Sequence, residues 1–144
     1  MLDAAFIAAN ALALIGWLTL IVLPNLRLTT MLAELFALPL LITGVYLATF
    51  IASYADGPSA GDFFSLDGVA ALLSDRVIAL VVWVHILAFD LFVGSQIFLD
   101  ARRRGIPHWL IAPCLVVTLL VGPLGYLSYR IALWVRARGV SRPA

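Results

Sequence analysis

The stretch DRVIALVVWVHILAFDLFVGSQIFL, residues 75–99, decides what kind of molecule this is. It is longer than the ~20 apolar residues a helix needs to cross a hydrocarbon core of about 30 Å. It does not alternate as the strand of a membrane barrel does. Two ionisable groups, His85 and Asp90, sit near its centre. Each is expensive in lipid, a carboxylate by roughly 2.5–3.5 kcal/mol on insertion scales. Such groups usually face protein, find a partner and mark a functional site.

Working outward, three more apolar blocks have spanning length: residues 4–23, 31–53 and 108–134. The predicted fold is all-α, an integral membrane bundle of four transmembrane helices forming one domain over 1–144, with one long loop at 54–74. Composition points the same way. Of 144 residues, 64% are hydrophobic and 12% charged, against roughly 45–50% and 25% in soluble domains. A chain this short cannot hide that excess in its own core. The first block lacks a basic leader and is too long for a signal peptide, so it is expected to be a retained helix. All nine basic residues are arginine. This points to a G+C-rich bacterial genome and thus to a bacterial inner membrane. A net charge of +1 makes no case for nucleic acid, and the single Cys114 excludes an internal disulfide.

In the long loop, DGPSAGD at 56–62 is turn chemistry. FFSLDGVAALLS after it predicts a short interfacial helix capped near Ser65 or Asp67, with Phe63 and Phe64 at the headgroup boundary. Asp75 is the expected N-cap of the third span. The fourth block is too long for one crossing, at roughly 40 Å, and contains GPLG at 122–125. Pro123 removes a backbone donor and is expected to kink or break the helix. Pro113 is a second candidate kink. Non-helical backbone at membrane depth is tolerated only against protein or a cavity, which turns GPLG toward the bundle interior. As four spans, the chain puts Arg27 and Arg102–Arg104 on one side, and Arg76, Arg136, Arg138 and Arg142 on the other. The arginines then leave orientation open.

Five residues at 100° each place His85 and Asp90 about 140° apart on their helix. His85 shares its face with Phe89, Phe92 and Gln96; Asp90 shares its own with Trp83, Leu87, Gly94 and Ile97. Aromatics beside both suit a flat, conjugated apolar ligand. Both groups are expected to face the interior and border one apolar pocket open to lipid, which wraps around the helix or uses two interhelical grooves. The competing reading is interhelical glue: His85 bonding Asn10, Thr43 or Tyr46, and Asp90 a neutral structural carboxyl. Asn10, Thr19, Thr43 and Thr118 read as further interhelical hydrogen-bond formers. Glu34 reads as lying near a helix mouth, Asp100 as an ion-pair partner for the neighbouring arginines, and His108 as interfacial. Two histidines make no metal cluster. A haem on His85 would need His/Met or single-histidine ligation. There is no nucleotide loop or nucleophile motif. Two deep ionisable groups without a repeat of broken helices argue against a transporter.

Trp83, His85, Asp90–Leu91–Phe92, Asp100 and Gly122–Pro123–Leu124–Gly125, with Leu23–Pro24–Asn25 after the first helix, resemble the abscisic-acid-deficient-four-like membrane family. The resemblance covers nearly the whole chain and is densest over residues 83–126. Its best-known members are plastid proteins required to make neoxanthin from violaxanthin. The resemblance implies an intramolecular isomerase for a carotenoid or related isoprenoid, with no cofactor. His85 and Asp90 would be catalytic, with Trp83, Phe89, Phe92 and Gln96 binding the substrate. Turning an epoxide end group into an allene needs an acid for the epoxide oxygen and a base for a proton of the conjugated chain. Asp90 is the expected acid and His85 the expected base. The expected partners are the bilayer, a lipid-soluble polyene or isoprenoid, and a second copy of the chain. The alternatives are a membrane protein that binds a carotenoid, quinone or haem without turnover, and a purely structural subunit.

Overall fold

A computed structural model describes residues 2–55 and 61–140, and all regular structure among them is helical. The elements are α1 (Leu2–Val22), α2 (Arg27–Glu34), α3 (Ala37–Ala55), α4 (Leu66–Ser74), α5 (Arg76–Arg103), α6 (His108–Val121) and α7 (Pro123–Val140). Two of them, α1 and α5, are long and apolar enough to cross a membrane. The pair Arg27–Glu34 and Ala37–Ser53, bent by 47°, makes a third if taken as one span.

The first and third blocks therefore form helices as expected, and two predictions of detail are corrected. The block at 31–53 begins earlier and is broken at Leu35–Phe36. The cause is Pro39, which has no N–H for the Leu35 carbonyl and whose ring crowds it. Phe36 takes a left-handed φ of 49° at the break. The block at 108–134 is not one kinked helix. Gly122 takes φ 46° and ψ −97°, and α6 and α7 then lie side by side. A Cβ on Gly125 would fall on the backbone N and Cα of Thr118, seven positions earlier (125 − 118). In a straight helix those residues stand about 10 Å apart. Pro123 breaks the helix as expected, and glycine supplies the φ the turn requires. Pro113 stays inside α6.

The short helix of the loop is present as α4. The Ser65 hydroxyl caps it by accepting from Gly68 N at 3.0 Å. Before it, Asp62 accepts from the backbone amides of Phe64 at 2.8 Å and Ser65 at 2.9 Å. Those donors hold its carboxyl below the usual carboxylate range. Asp75 caps α5, its Oδ1 accepting from Val77 N at 2.7 Å and Ile78 N at 3.1 Å. Most of the DGPSAGD turn lies outside the described residues.

The chain divides into two compact units, one of Met1–Leu14 with Leu38–Phe89 and one of Ile15–Ala37 with Asp90–Ala144. In the first, the start of α1 packs on the start of α5. Phe6 stacks on Trp83 with ring centroids 6.4 Å apart, and Asp3 pairs with Arg76 at 3.6 Å. In the second, the end of α1 runs beside the end of α5 through small residues. The Gly16 α-carbon seats against Leu91, and Gly94 against the Trp17 indole. Small residues let helix backbones close up where lipid offers no hydrophobic drive.

The expected interhelical hydroxyl bonds are not what these residues make. Thr19 donates to Gly16 O, Thr43 to Pro39 O and Thr118 to Cys114 O, all at 2.8 Å and all within their own helices. A hydroxyl without a facing partner satisfies itself on the carbonyl a turn back. Asn10 does bridge helices weakly, accepting from Trp83 Nε1 at 3.4 Å.

Candidate functional site

The predicted residues belong to two units: Trp83, His85 and Phe89 to the first, Asp90, Phe92 and Gln96 to the second. His85 belongs to the first unit and is exposed, against the expectation of an interior-facing ring. It lies between two aromatics: Tyr46 of α3, with centroids 5.6 Å apart, and Phe89, stacked at 6.0 Å and 11°. The Phe89 stack comes from i, i+4 spacing on one helix face. Tyr46 stacks in turn on Phe50 at 5.7 Å. His85 is thus one member of an aromatic row, not a hydrogen-bonded link to Asn10, Thr43 or Tyr46. Trp83 lies apart from that row. It lines a cleft of about 360 Å³ with Leu2, Phe6, Ala79 and Leu80, and the Asp3–Arg76 pair completes the lining.

Asp90 belongs to the second unit and stands midway along the 28-residue α5. Its carboxylate packs against the Gly122 α-carbon, so that a Cβ there would lie 2.7 Å from Oδ1. The helix break predicted from GPLG therefore meets the mid-span carboxylate predicted from FDLF. Gly122 N donates to Thr118 O at 2.8 Å and Gly122 O accepts from Gly125 N at 3.0 Å, so the turn closes on its own backbone beside a half-buried acid. Phe92 packs on Phe36, the strained residue of the other helix break, with centroids 5.1 Å apart. Gln96 is exposed. Sequence reasoning missed Phe36. The signal was there, in a proline three residues on (39 − 36).

Asp100 carries a second polar cluster. It accepts from Arg104 Nε at 2.8 Å and from Tyr129 Oη–H at 2.7 Å, the tyrosine being buried. The expected ion pair is present, and the tyrosine ties α7 to the end of α5. Tyr129→Phe removes one hydrogen bond to a charged, partly exposed acceptor. The expected cost is about 1 kcal/mol. A thermal midpoint in detergent equal to that of the parent would show that this tie contributes nothing. His108 sits at the start of α6, with Nε2 2.9 Å from Ile21 O and its ring edge-on to Phe98. Glu34 is the last, exposed residue of α2. Among the described residues no group of three or more His, Cys, Asp or Glu could hold a metal ion.

Apolar helices of spanning length, one of them carrying ionisable groups at mid-span, define an integral membrane protein. Its sequence matches the ABA DEFICIENT 4-like family over residues 4–129, and the chain belongs to that family. No curated protein and no solved structure shows significant similarity to it.

Proposed function

We propose that this protein is a membrane isomerase acting on a lipid-soluble carotenoid or related isoprenoid, with Asp90 as the reacting acid. The observation that carries the reading is Asp90 itself, a carboxyl at mid-span packed on a helix break, in a chain of the ABA DEFICIENT 4-like family. Family membership supports a role related to neoxanthin formation. The carboxyl supplies what an epoxide-to-allene conversion requires. Its proton goes to the epoxide oxygen, the C–O bond opens, and the carboxylate left behind takes the proton released from the conjugated chain. Protons and electrons balance, and the product is an isomer of the substrate. Helix geometry puts His85 about 140° away and about 7.5 Å along the axis. In this reading the reacting end group stays at Asp90, and one carboxyl serves both proton transfers. His85 is therefore assigned, with Tyr46 and Phe89, to a row of rings that receives a flat polyene.

In this reading the protein sits in a bacterial inner membrane, takes its substrate sideways from lipid, and associates with a second copy. Co-expression with enzymes that make a 5,6-epoxycarotenoid is expected to yield an allenic isomer of identical mass, resolved by chromatography and absorbance. A second reading, binding without turnover, is favoured by the exposed ring row at His85. It predicts pigment absorbance in the purified protein and an unchanged carotenoid profile in the cells.

A further inference from the structure

We infer that α6 and α7 form a re-entrant hairpin, and that the face through which it enters and leaves rests on the anionic headgroups of the cytoplasmic leaflet. Three levels along the second unit trace the path. At its start, α6 lies beside the end of α5, with His108 against Phe98. At its turn, Gly122 lies against Asp90, halfway along α5. On its way back, α7 passes Asp100, which receives the Tyr129 hydroxyl. The hairpin therefore reaches about half the depth of α5 and returns toward the end it came from. Length agrees, because α6 has 14 residues. That is about 21 Å, short of a 30 Å core.

Two tryptophans mark the depth independently. Trp109 precedes Gly122 by 13 residues (122 − 109), and Trp134 follows it by 12 (134 − 122). The arms of the hairpin thus carry an exposed indole at matching distances from its tip. Indoles prefer the membrane–water boundary, and one boundary suits both.

The charge pattern then becomes one-sided. Four spans would have put Arg136 opposite Arg102–Arg104. The hairpin brings Arg136 to the face that already holds Arg27, Arg102, Arg103 and Arg104, the last paired with Asp100; all five are exposed and in the second unit. At the other end of α5 stands Arg76, paired with Asp3. Arginine excess marks the cytoplasmic side, and anionic lipids there attract it. The start of α1 is accordingly on the outer side.

Single cysteines on a Cys114→Ala background test this with a membrane-impermeant maleimide. The full chain is used, in right-side-out and inside-out vesicles of a bacterial inner membrane. Arg103→Cys and Arg136→Cys are expected to label only in inside-out vesicles, and Asp3→Cys only in right-side-out ones. Labelling of Arg136→Cys from the same side as Asp3→Cys would establish a fourth span and overturn the hairpin. Labelling of Arg103→Cys from outside would overturn the lipid assignment. Retention of each variant as a monodisperse species in detergent shows that the labelled protein is folded. The lipid contact has its own readout. After reconstitution, Arg102→Glu with Arg103→Glu should lose at least half of the thermal shift that phosphatidylglycerol gives the parent over phosphatidylcholine. An unchanged shift means the face does not engage anionic lipid.

Discussion

Gly125→Ala is expected to destabilise the protein by about 2 kcal/mol or more, whereas Gly44→Ala is expected to be neutral or mildly stabilising. Alanine is the better helix former by roughly 1 kcal/mol, so propensity alone predicts a gain at both. Space decides otherwise. At Gly44, on α3, an added Cβ meets nothing within 4 Å. At Gly125, on α7, it would meet Thr118 at its backbone N and Cα as well as its hydroxyl oxygen. Backbone cannot step aside as the end of a side chain can, and overpacking costs about 1–3 kcal/mol even where neighbours yield. The hairpin would have to open at the turn that seats Gly122 on Asp90. Thr118→Ala removes the hydroxyl and the γ-methyl but leaves the backbone N and Cα in place, and should not rescue Gly125→Ala. Thermal unfolding and size-exclusion profiles in detergent decide the matter. A Gly125→Ala protein as stable as the parent would mean that α6 and α7 are not in contact at this point.

The same glycines show how far the sequence could be read. Spanning helices follow from composition and block length, and α1 and α5 are where the hydropathy places them. Caps at Ser65 and Asp75 follow from local chemistry, and the side chains make those bonds. The proline at 123 announces a break. A break carries no sign of direction, because a kink that continues and a turn that reverses use the same residues. What reverses the chain is the φ of 46° at Gly122 together with the close approach of Gly125 to Thr118. The second is a tertiary fact with no periodicity to betray it. Pro39 held the matching clue for the break at Leu35–Phe36, but it is masked by uniform hydrophobicity on both sides. The ionisable pair was visible for the same physical reason that makes it costly. Its arrangement was half visible: the 140° offset already separated His85 from Asp90, and the structure gives each its own surroundings.

Asp90→Asn is expected to abolish conversion of an epoxycarotenoid while leaving the protein folded and at least as stable as the parent. The two side chains have nearly the same shape, so the packing against Gly122 is kept. Among the described residues no hydrogen bond or ion pair to the Asp90 carboxylate is present, so asparagine removes no charge partner. It also removes an acid that costs roughly 2.5–3.5 kcal/mol in a membrane interior when ionised. An Asp90→Asn protein at least as stable as the parent would show that the carboxyl does not serve stability. Losing a general acid typically slows a reaction by about 10²–10⁴-fold, and this carboxyl is proposed to serve as acid and then base. His85→Phe provides the contrast. It keeps a ring between Tyr46 and Phe89 and discards the imidazole, so conversion should persist within a few-fold. Both variants are to be measured beside the parent in the same carotenoid-producing cells, with product per folded protein as the readout. Full activity in Asp90→Asn would remove Asp90 from the reaction. Loss in His85→Phe with normal folding would return the base to His85 and require a substrate path that reaches it.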